Sequence, residues 1–590
     1  MARWLIAAFL LFPSLPTLAS DRVPGDRWMA YANPAEAGFD VAALAAAEER
    51  WRELSSSAFM VIADGAVVAS WGETDRRFMC HSVRKSFLSA LYGIYWDRDQ
   101  MELNKTLADV GIDDLGDGLL ESEKQARILD LLKARSGVFH PAAYAGRTDS
   151  RPRGSEGPGR YFAYNNWDFN TLATILEKET GDTVFEAFDE HFARPLAMED
   201  WRLSDGYFHY ERDKSEHPAY PFRMSARDAA RFGLLFARDG RWGDEQILSR
   251  QWVRRSTALY SKDNEQFGYG FMWWVALEPR FAEHGFVAAR GVGRQMIVAL
   301  PDIDMVIVNR ANTYRGEGTE YQELLDLMEM VIAARRGEAA DNPRLVPLGA
   351  ASKALESAPG QSSLVAELVG EYAFPPAPLG LPERTRVEAR NQDGRLIMHS
   401  PAAGTFEHFP QGGDWLLEED SYDRYRVIRD ASGKIAGVAD ADTILQGAVM
   451  ASVRGDGATE RRLKALIADE EGLGVELGRT LLALFERPKK TEKAIRALIT
   501  DQRRGEIEGR INGFGYRYLQ ADAHHKARRV FELNTRLFPQ AYNTWDSLGE
   551  ACMILGEKEE AIANYQKSLE LNPENDNARD QIAKLRSGDG

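Results

Sequence analysis

Ser82 and Lys85 stand three residues apart at the head of an apolar run, Phe87, Leu88, Ala90, Leu91 and Ile94, whose spacing is that of an α-helix. No other short stretch constrains the chain as much. Residues three apart on a helix share a face, so the amine of Lys85 can lie against the hydroxyl of Ser82. The apolar positions predict a buried helix whose first turn carries Ser82. Free N–H groups at a helix N-terminus stabilise negative charge developing there. Further along, Tyr164-Asn165-Asn166 offers a Tyr-x-Asn partner.

The chain has 590 residues, too many for one hydrophobic core. A hydrophobic content of 44% and a charged content of 28% are those of globular domains. A formal net charge of −17 argues against a nucleic-acid partner and fits a well-solvated surface. Arg3, the apolar run Trp4 to Phe12 and the small residues around Thr17-Leu18-Ala19-Ser20 predict a cleavable signal peptide over 1–19. The expected location is therefore exported, periplasmic or extracellular. The run is too short to span a bilayer, and no stable membrane span is expected after cleavage. The only cysteines, Cys80 and Cys552, lie in separate regions, so no disulfide framework is implied. Cys80 reads as a buried small hydrophobe, with a catalytic thiol as the sharper alternative.

Residues 24–336 form a mixed region. Its helical stretches include Val41 to Leu54, and its strand-like stretches include Ala58 to Ile62, Val67 to Trp71 and Met296 to Val308. Ala63-Asp64-Gly65 between the first two strands is a hairpin signal. Helices packed on an antiparallel sheet, an α+β architecture, are expected. Residues 337–363 turn to Ala, Pro, Gly and Ser and read as a linker. Over 364–455, short strands alternate with Gly-containing turns. Thr385 to Ala389 faces Leu396 to Met398, and Tyr425 to Ile428 faces Ile435 to Val438, predicting a small all-β domain, a lipocalin-like barrel or a sandwich.

The remainder, 460–587, is helical in pattern. Ala527, Phe531, Leu537 and Pro539 recur 34 residues later as Ala561, Tyr565, Leu571 and Pro573. With Trp545 to Gly549 and Gly556 between them, these positions resemble the tetratricopeptide repeat. The resemblance implies helical hairpins and a protein partner bound through them. The same apolar positions also read as ordinary helix-packing core.

Several separate places resemble the serine β-lactamase and penicillin-binding superfamily, in its class C-like branch of esterases, D-peptidases and amide hydrolases. They are Met79 to Phe87, Asp130 to Val138 ending in Arg135-Ser136-Gly137-Val138, Tyr161 to Asn166, Met224 to Asp228, and Gly268 to Trp274. A serine hydroxyl needs a base at neutral pH, and Lys85 serves only as the neutral amine, which burial and a nearby cation favour. A phenol such as Tyr164 serves only where adjacent positive charge lowers its pKa, with Lys85 the obvious source. The resemblance implies that Ser82 attacks, Lys85 and Tyr164 move the proton, and Asn166 orients Lys85 or the substrate amide. Asn166 also reads as a helix cap before Phe169, Leu172, Ile175 and Leu176.

The superfamily's third motif, Lys-Thr-Gly or His-Thr-Gly, is absent between Glu283 and Pro301. Arg290-Gly291-Val292-Gly293-Arg294-Gln295 stands there and resembles the Gly-x-Gly-x-Gln form of the esterase and amide-hydrolase branch. A main-chain N–H near Gly291, Val292 or Gly293 can then join that of Ser82 as an oxyanion hole, and a plain glycine turn is the competing reading. Arg290 or Arg294 can supply the cation that the missing lysine would offer a substrate carboxylate. Trp273 and Trp274 read as an acyl-pocket wall or as core. His-Glu-x-x-His, Cys-x-x-Cys and phosphate-binding glycine loops are absent, so no metal, nucleotide or other cofactor is expected.

The expected activity is serine hydrolysis of a small ester, amide or peptide substrate through an acyl-Ser82 intermediate. A β-lactamase or D,D-peptidase acting on peptidoglycan-type substrates is the alternative enzyme. A vestigial hydrolase serving as a repeat scaffold is the alternative of another class.

Overall fold

The computed structural model describes residues 22–144, 151–313, 318–349, 355–373, 386–400, 404–419, 423–430, 432–468, 472–500, 503–573 and 575–587. The expected signal peptide at 1–19 lies outside the described residues. The chain forms two compact units, residues 1–354 with 401–405 and residues 355–400 with 406–590.

In the first unit ten strands make one sheet. They are β1 (Met29–Tyr31), β2 (Ala58–Ala63), β3 (Ala66–Gly72), β4 (Ser261–Lys262), β5 (Phe267–Tyr269), β6 (Trp274–Ala276), β7 (Val287–Gly291), β8 (Gln295–Leu300), β9 (Met305–Arg310) and β10 (Leu345–Pro347). Their spatial order is β10-β1-β3-β2-β9-β8-β7-β6-β5-β4. All pairs are antiparallel except β1 with β3. Successive side chains of a strand point to opposite faces, and here both faces are covered. Phe59, Val61, Met305 and Ile307 enter the core beneath the two helices α1 (Val41–Arg52) and, later in the chain, 321–334. Met60, Ile62, Val306 and Val308 enter the opposite core, against α2 (Arg84–Asp97), α3 (Asn166–Thr180) and α4 (Ala226–Ala237). Double burial explains why these strands read as continuous apolar runs.

Asp64 and Gly65, both with positive φ (50° and 74°), make the two-residue turn between β2 and β3. That is the hairpin chemistry the sequence announces. The stretch Met296 to Val308 is two strands, broken by a helical turn at Pro301–Ile303 and by Asp304 at φ 40°. Part of the segment read as a linker is ordered structure: β10 pairs with β1 at the sheet edge, Met29 opposite Pro347. An edge strand tolerates proline, which has no N–H to donate.

The second unit holds a nearly closed seven-stranded antiparallel barrel sheet, β11 (Gly370–Ala373), β12 (Arg386–Gln392), β13 (Arg395–Ser400), β14 (Gly404–Gly412), β15 (Trp415–Glu418), β16 (Arg424–Arg429) and β17 (Ile435–Asp440), paired in chain order. The short helix Ser362–Leu368 packs Leu364, Val365 and Leu368 into the same small core as Val387, Leu396 and Leu416. The sheet ends at Asp440, earlier than the expected boundary at 455. Asp440 caps a helix, Ala441–Arg454, by accepting from the Thr443 N–H at 2.5 Å.

The C-terminal helices include Arg504–Gln520, His524–Leu537, Tyr542–Ile554 and Lys558–Leu571, packed as successive hairpins. Ala527, Phe531, Ala561 and Tyr565 are buried, as the repeat requires. A Cβ on Gly515 would meet the Phe531 ring at 2.4 Å, and one on Gly549 would meet the Tyr565 ring at 3.0 Å. Gly515 and Phe531 stand 34 residues before Gly549 and Tyr565, so the period reaches one helix further back than the sequence pattern alone suggests. Each hairpin closes by seating an aromatic ring on a bare stretch of helix. No helix among the described residues is long and apolar enough to cross a membrane.

Candidate active site

Ser82 lies in the short 3-10 turn His81–Val83, which leads directly into α2. Residues Arg84 through Tyr95 of α2 are all buried, so this helix is the central post of the first unit. Lys85 Nζ lies 2.7 Å from Ser82 Oγ and 2.6 Å from the Tyr164 hydroxyl. Two groups three residues apart and a third 79 residues beyond Lys85 thus meet at one point. Tyr164 is held there by Tyr269, Trp274 and Phe169, with ring centroids 5.8, 5.6 and 5.0 Å away.

Burial pushes the Lys85 pKa well below its usual value, and the charge of Arg84 pushes it the same way. The Tyr164 and Phe169 rings, 4.5 and 4.8 Å from Nζ, favour the cation, but a few neutral faces do not replace lost water around a completely enclosed ammonium. Burial raises the Tyr164 pKa, while its hydrogen bond with Ser82 and the charges of Arg84 and Arg290 pull it back. Both shifts run in the direction that favours a neutral amine beside a protonated phenol.

Among the described residues Lys85 bonds Ser82 and Tyr164, and the Asn166 Nδ2 instead donates to the Tyr144 carbonyl at 2.5 Å. The cap of α3 is Asn165, whose Oδ1 accepts from the Asp168 N–H at 2.9 Å. Asn166 is the first residue inside the helix, one position later than a cap.

The Gly-rich segment runs along the nucleophile. A Cβ on Gly291 would lie 2.5 Å from the Cys80 carbonyl oxygen and 3.1 Å from the Ser82 amide nitrogen, so only glycine allows β7 to pass this close. Val292 is exposed, and Gly293 turns with φ 74°. Gln295 is buried, its Nε2 donating to the Ala311 carbonyl at 2.6 Å, which ties the turn to the chain after β9. Arg290 carries its guanidinium over Tyr321, Trp274 and Phe267, at 4.4, 4.5 and 4.7 Å from the ring centroids, and its Nη1 has no hydrogen-bond partner. Arg294 lies over the same Tyr321 ring at 5.3 Å, its Nε donating to the Thr319 carbonyl at 3.1 Å. The adjacent tryptophans divide: Trp273 is core, against Phe236 at 4.3 Å, and Trp274 faces Tyr164.

Further residues support the site that the sequence reading did not single out. His81, at φ 48°, has its Nε2 2.8 Å from the Thr313 hydroxyl and its Nδ1 3.0 Å from the Tyr144 hydroxyl. Burial, then Arg84, Arg310 and Lys85, lower its pKa to about 4, so it is a neutral bridge. Ser136 Oγ donates to Asp168 Oδ1 at 2.6 Å, and burial raises the Asp168 carboxyl to about 8. A His directly before the serine, and Arg-Ser-Gly in the Asp130 to Val138 stretch, were the available signals. Cys80 is buried, accepts from Arg310 Nη2 at 3.3 Å, and burial raises its pKa, so it is not a poised thiolate. Among the described residues, the group with metal-ligand spacing is Cys552, Glu557 and Glu560 in the C-terminal helices, where Arg528 already pairs with both glutamates.

Comparison with known families follows the same division of the chain. Residues 44–326 match the model of the family described as beta-lactamase, and residues 542–575 match that of the tetratricopeptide repeat. No curated protein gives a significant match to the sequence. Among solved structures, a penicillin-binding protein homologue from Caulobacter crescentus is 14% identical, covering 50% of this chain and 99% of its own, with a TM-score of 0.39. An octameric penicillin-binding protein homologue from Pyrococcus abyssi is 15% identical over 66% of this chain and 96% of its own, at 0.38. A penicillin-binding protein from Bacillus halodurans is 16% identical over 49% of this chain and 99% of its own, at 0.37. Residues 44–326 are a domain of the β-lactamase family, whose members are serine hydrolases, and the chain joins it to a C-terminal tetratricopeptide repeat.

Proposed function

We propose that the protein is an exported serine hydrolase that cleaves an ester or amide bond through an acyl-Ser82 intermediate. The observation that carries this reading is Lys85 Nζ within hydrogen-bond reach of both Ser82 Oγ and the Tyr164 hydroxyl. Neutral Lys85 takes the Ser82 proton as Oγ bonds to the acyl carbon. The oxyanion forms beside the Ser82 N–H, with a main-chain N–H of the Gly291–Gly293 turn as the second donor. As the tetrahedral adduct collapses, the Tyr164 phenol gives its proton to the leaving oxygen or nitrogen and recovers one from Lys85. Water then adds to the acyl carbon, the Lys85 and Tyr164 pair accepts its proton, and Ser82 Oγ leaves as the hydroxyl.

Export rests on the basic, apolar and small-residue pattern of residues 1–19. Arg290 favours a second reading, toward substrates with a carboxylate beside the scissile bond, as in β-lactams and peptidoglycan stems. Its Nη1 is unpartnered, and a guanidinium pairs bidentately with a carboxylate. The repeat segment suits a protein partner, separate from the chemistry.

Turnover of short p-nitrophenyl esters and anilides, beside a chromogenic cephalosporin, separates the readings. Ester or anilide hydrolysis that disappears in Ser82→Ala supports the first. Cephalosporin turnover with no ester activity favours the second.

A further inference from the structure

We propose that Arg84, inside Ser82-Val83-Arg84-Lys85, is an electrostatic positioning residue: its guanidinium is caged by neutral groups, so its charge remains uncompensated and holds Lys85 as the neutral amine. This rests on the reading of Ser82 as the nucleophile and Lys85 as its base.

Arg84 is 0% exposed. Its Nη2 donates to Asn170 Oδ1 at 3.2 Å and its Nη1 to the His81 carbonyl at 3.4 Å. Its carbon Cζ lies 4.7 Å from the centre of the Tyr220 ring and 5.4 Å from that of Tyr144. Asn170 is oriented by donating its own Nδ2 to the Ala143 carbonyl at 3.0 Å, which leaves its oxygen for Arg84. The guanidinium Nε has no partner. Among the described residues, no carboxylate forms an ion pair with Arg84.

Elsewhere in the same unit several buried arginines are matched with acids. Arg231 pairs with Glu199 at 2.9 Å, and Arg227 and Arg238 pair with Asp200 and Asp304. Burying a cation without its counter-charge is costly, and aromatic faces and amide dipoles recover only part of that cost. Arg310 is also buried, and Arg290 half-buried, without an acid paired to either among the described residues; what sets Arg84 apart is that its unpaired charge stands at the residue directly before the base.

The groups around Lys85 leave that charge unopposed. Ser82 and His81 face it from the nucleophile turn, Tyr164 from the segment before α3 and Phe169 from α3, while Tyr269 from β5 and Arg290 from β7 act on Tyr164 behind it. His81, lowered to about 4, is neutral, and Arg310 beyond it is another cation. Asp168, the acid nearest in sequence to Tyr164, is raised to about 8 and brings no anion at neutral pH. Burial depresses Lys85 first and Arg84 second, so removing Arg84 relaxes the base toward its ammonium form.

The test is the pH dependence of Ser82 labelling by a fluorophosphonate probe, which needs no knowledge of the substrate. In Arg84→Met the acidic limb moves to higher pH by on the order of one pH unit, so labelling on that limb falls roughly tenfold. Arg84→Lys, which keeps a cation, retains the wild-type limb. Asn170→Asp, nearly isosteric, sets a carboxylate against Nη2 and moves the limb upward as Arg84→Met does, which keeps the test sharp where Arg84→Met fails to fold. The thermal midpoint of Arg84→Met stays level or rises, because an unpaired buried charge has gone. An unmoved limb in the folded neutral variant or in Asn170→Asp overturns the proposal, as does an equal shift in Arg84→Lys. Absence of Ser82 labelling in wild type at every pH overturns the nucleophile reading beneath it, whereas ester turnover with an unmoved limb overturns the role of Arg84 alone.

Discussion

Gly291 passes so close to Ser82 that a methyl group on it would lie 3.1 Å from the Ser82 amide nitrogen and 2.5 Å from the Cys80 carbonyl oxygen. Strand β7 and the nucleophile turn are therefore fitted to one another through a residue without a side chain. Gly291→Ala forces the turn aside and displaces the Ser82 N–H from the oxyanion. Steady-state ester hydrolysis is expected to fall on the order of 10²-fold in kcat, the cost of one misplaced oxyanion donor. Unchanged kcat in a folded Gly291→Ala protein contradicts this fit.

In the proposed mechanism Lys85 sets the pH range of the reaction. Burial, and then the charge of Arg84, push its pKa well below the usual lysine value, and in that mechanism the neutral amine is the working form. The rate therefore rises with pH through the folded-state pKa and is lost below it, with the acidic limb far under the range of an exposed lysine. Lys85→Met, which keeps the bulk and removes the base, is expected to cut kcat/KM by about 10²- to 10⁴-fold and to abolish that limb. A limb that persists in Lys85→Met assigns the titration to another group.

Asp168 carries a stability signature of the opposite sign. Its folded pKa is raised from 3.8 to about 8 by burial, so the folded state holds a proton that the unfolded chain releases. The stabilisation is complete below about pH 4 and is lost as pH rises toward 8 and beyond. Asp168→Asn, neutral at every pH, should flatten the fall in thermal midpoint between pH 5 and pH 9. An identical fall in the variant rules out Asp168 as its source.

Gly515 and Gly549 give a prediction confined to the helical region. Each seats an aromatic ring, Phe531 or Tyr565, against bare helix. Gly515→Leu should open its hairpin and raise local hydrogen exchange by roughly the 5- to 150-fold that an overpacking cost of about 1–3 kcal/mol implies. Ester hydrolysis is expected to be unaffected, and a parallel loss of kcat would mean that the repeats take part in the chemistry.

What could be read from the sequence follows local chemistry. Ser82, Lys85 and the apolar positions after them specify a helix by spacing alone, and Asp64-Gly65 specifies a tight turn by its tolerance of positive φ. The place of Tyr164 against Lys85 came from resemblance, since no spacing rule joins residues so far apart. The rest depended on tertiary context. Asn166 reads as the cap from the apolar spacing after it, and the backbone at the start of α3 makes Asn165 the cap instead. Arg84 looks like a surface residue in its tetrapeptide, and its burial follows from Tyr144, Tyr220 and Asn170 closing over it. The strand Leu345–Pro347 is too short to show a period and exists because β1 offers an open edge.

The account stands most directly on Ser82 as the residue that becomes acylated. Intact-mass spectrometry after fluorophosphonate treatment, with the modified peptide sequenced, measures this. The expected result is a single adduct on Ser82 in the wild-type protein and none in Ser82→Ala. An adduct on another residue, or equal labelling of both proteins, would contradict the account.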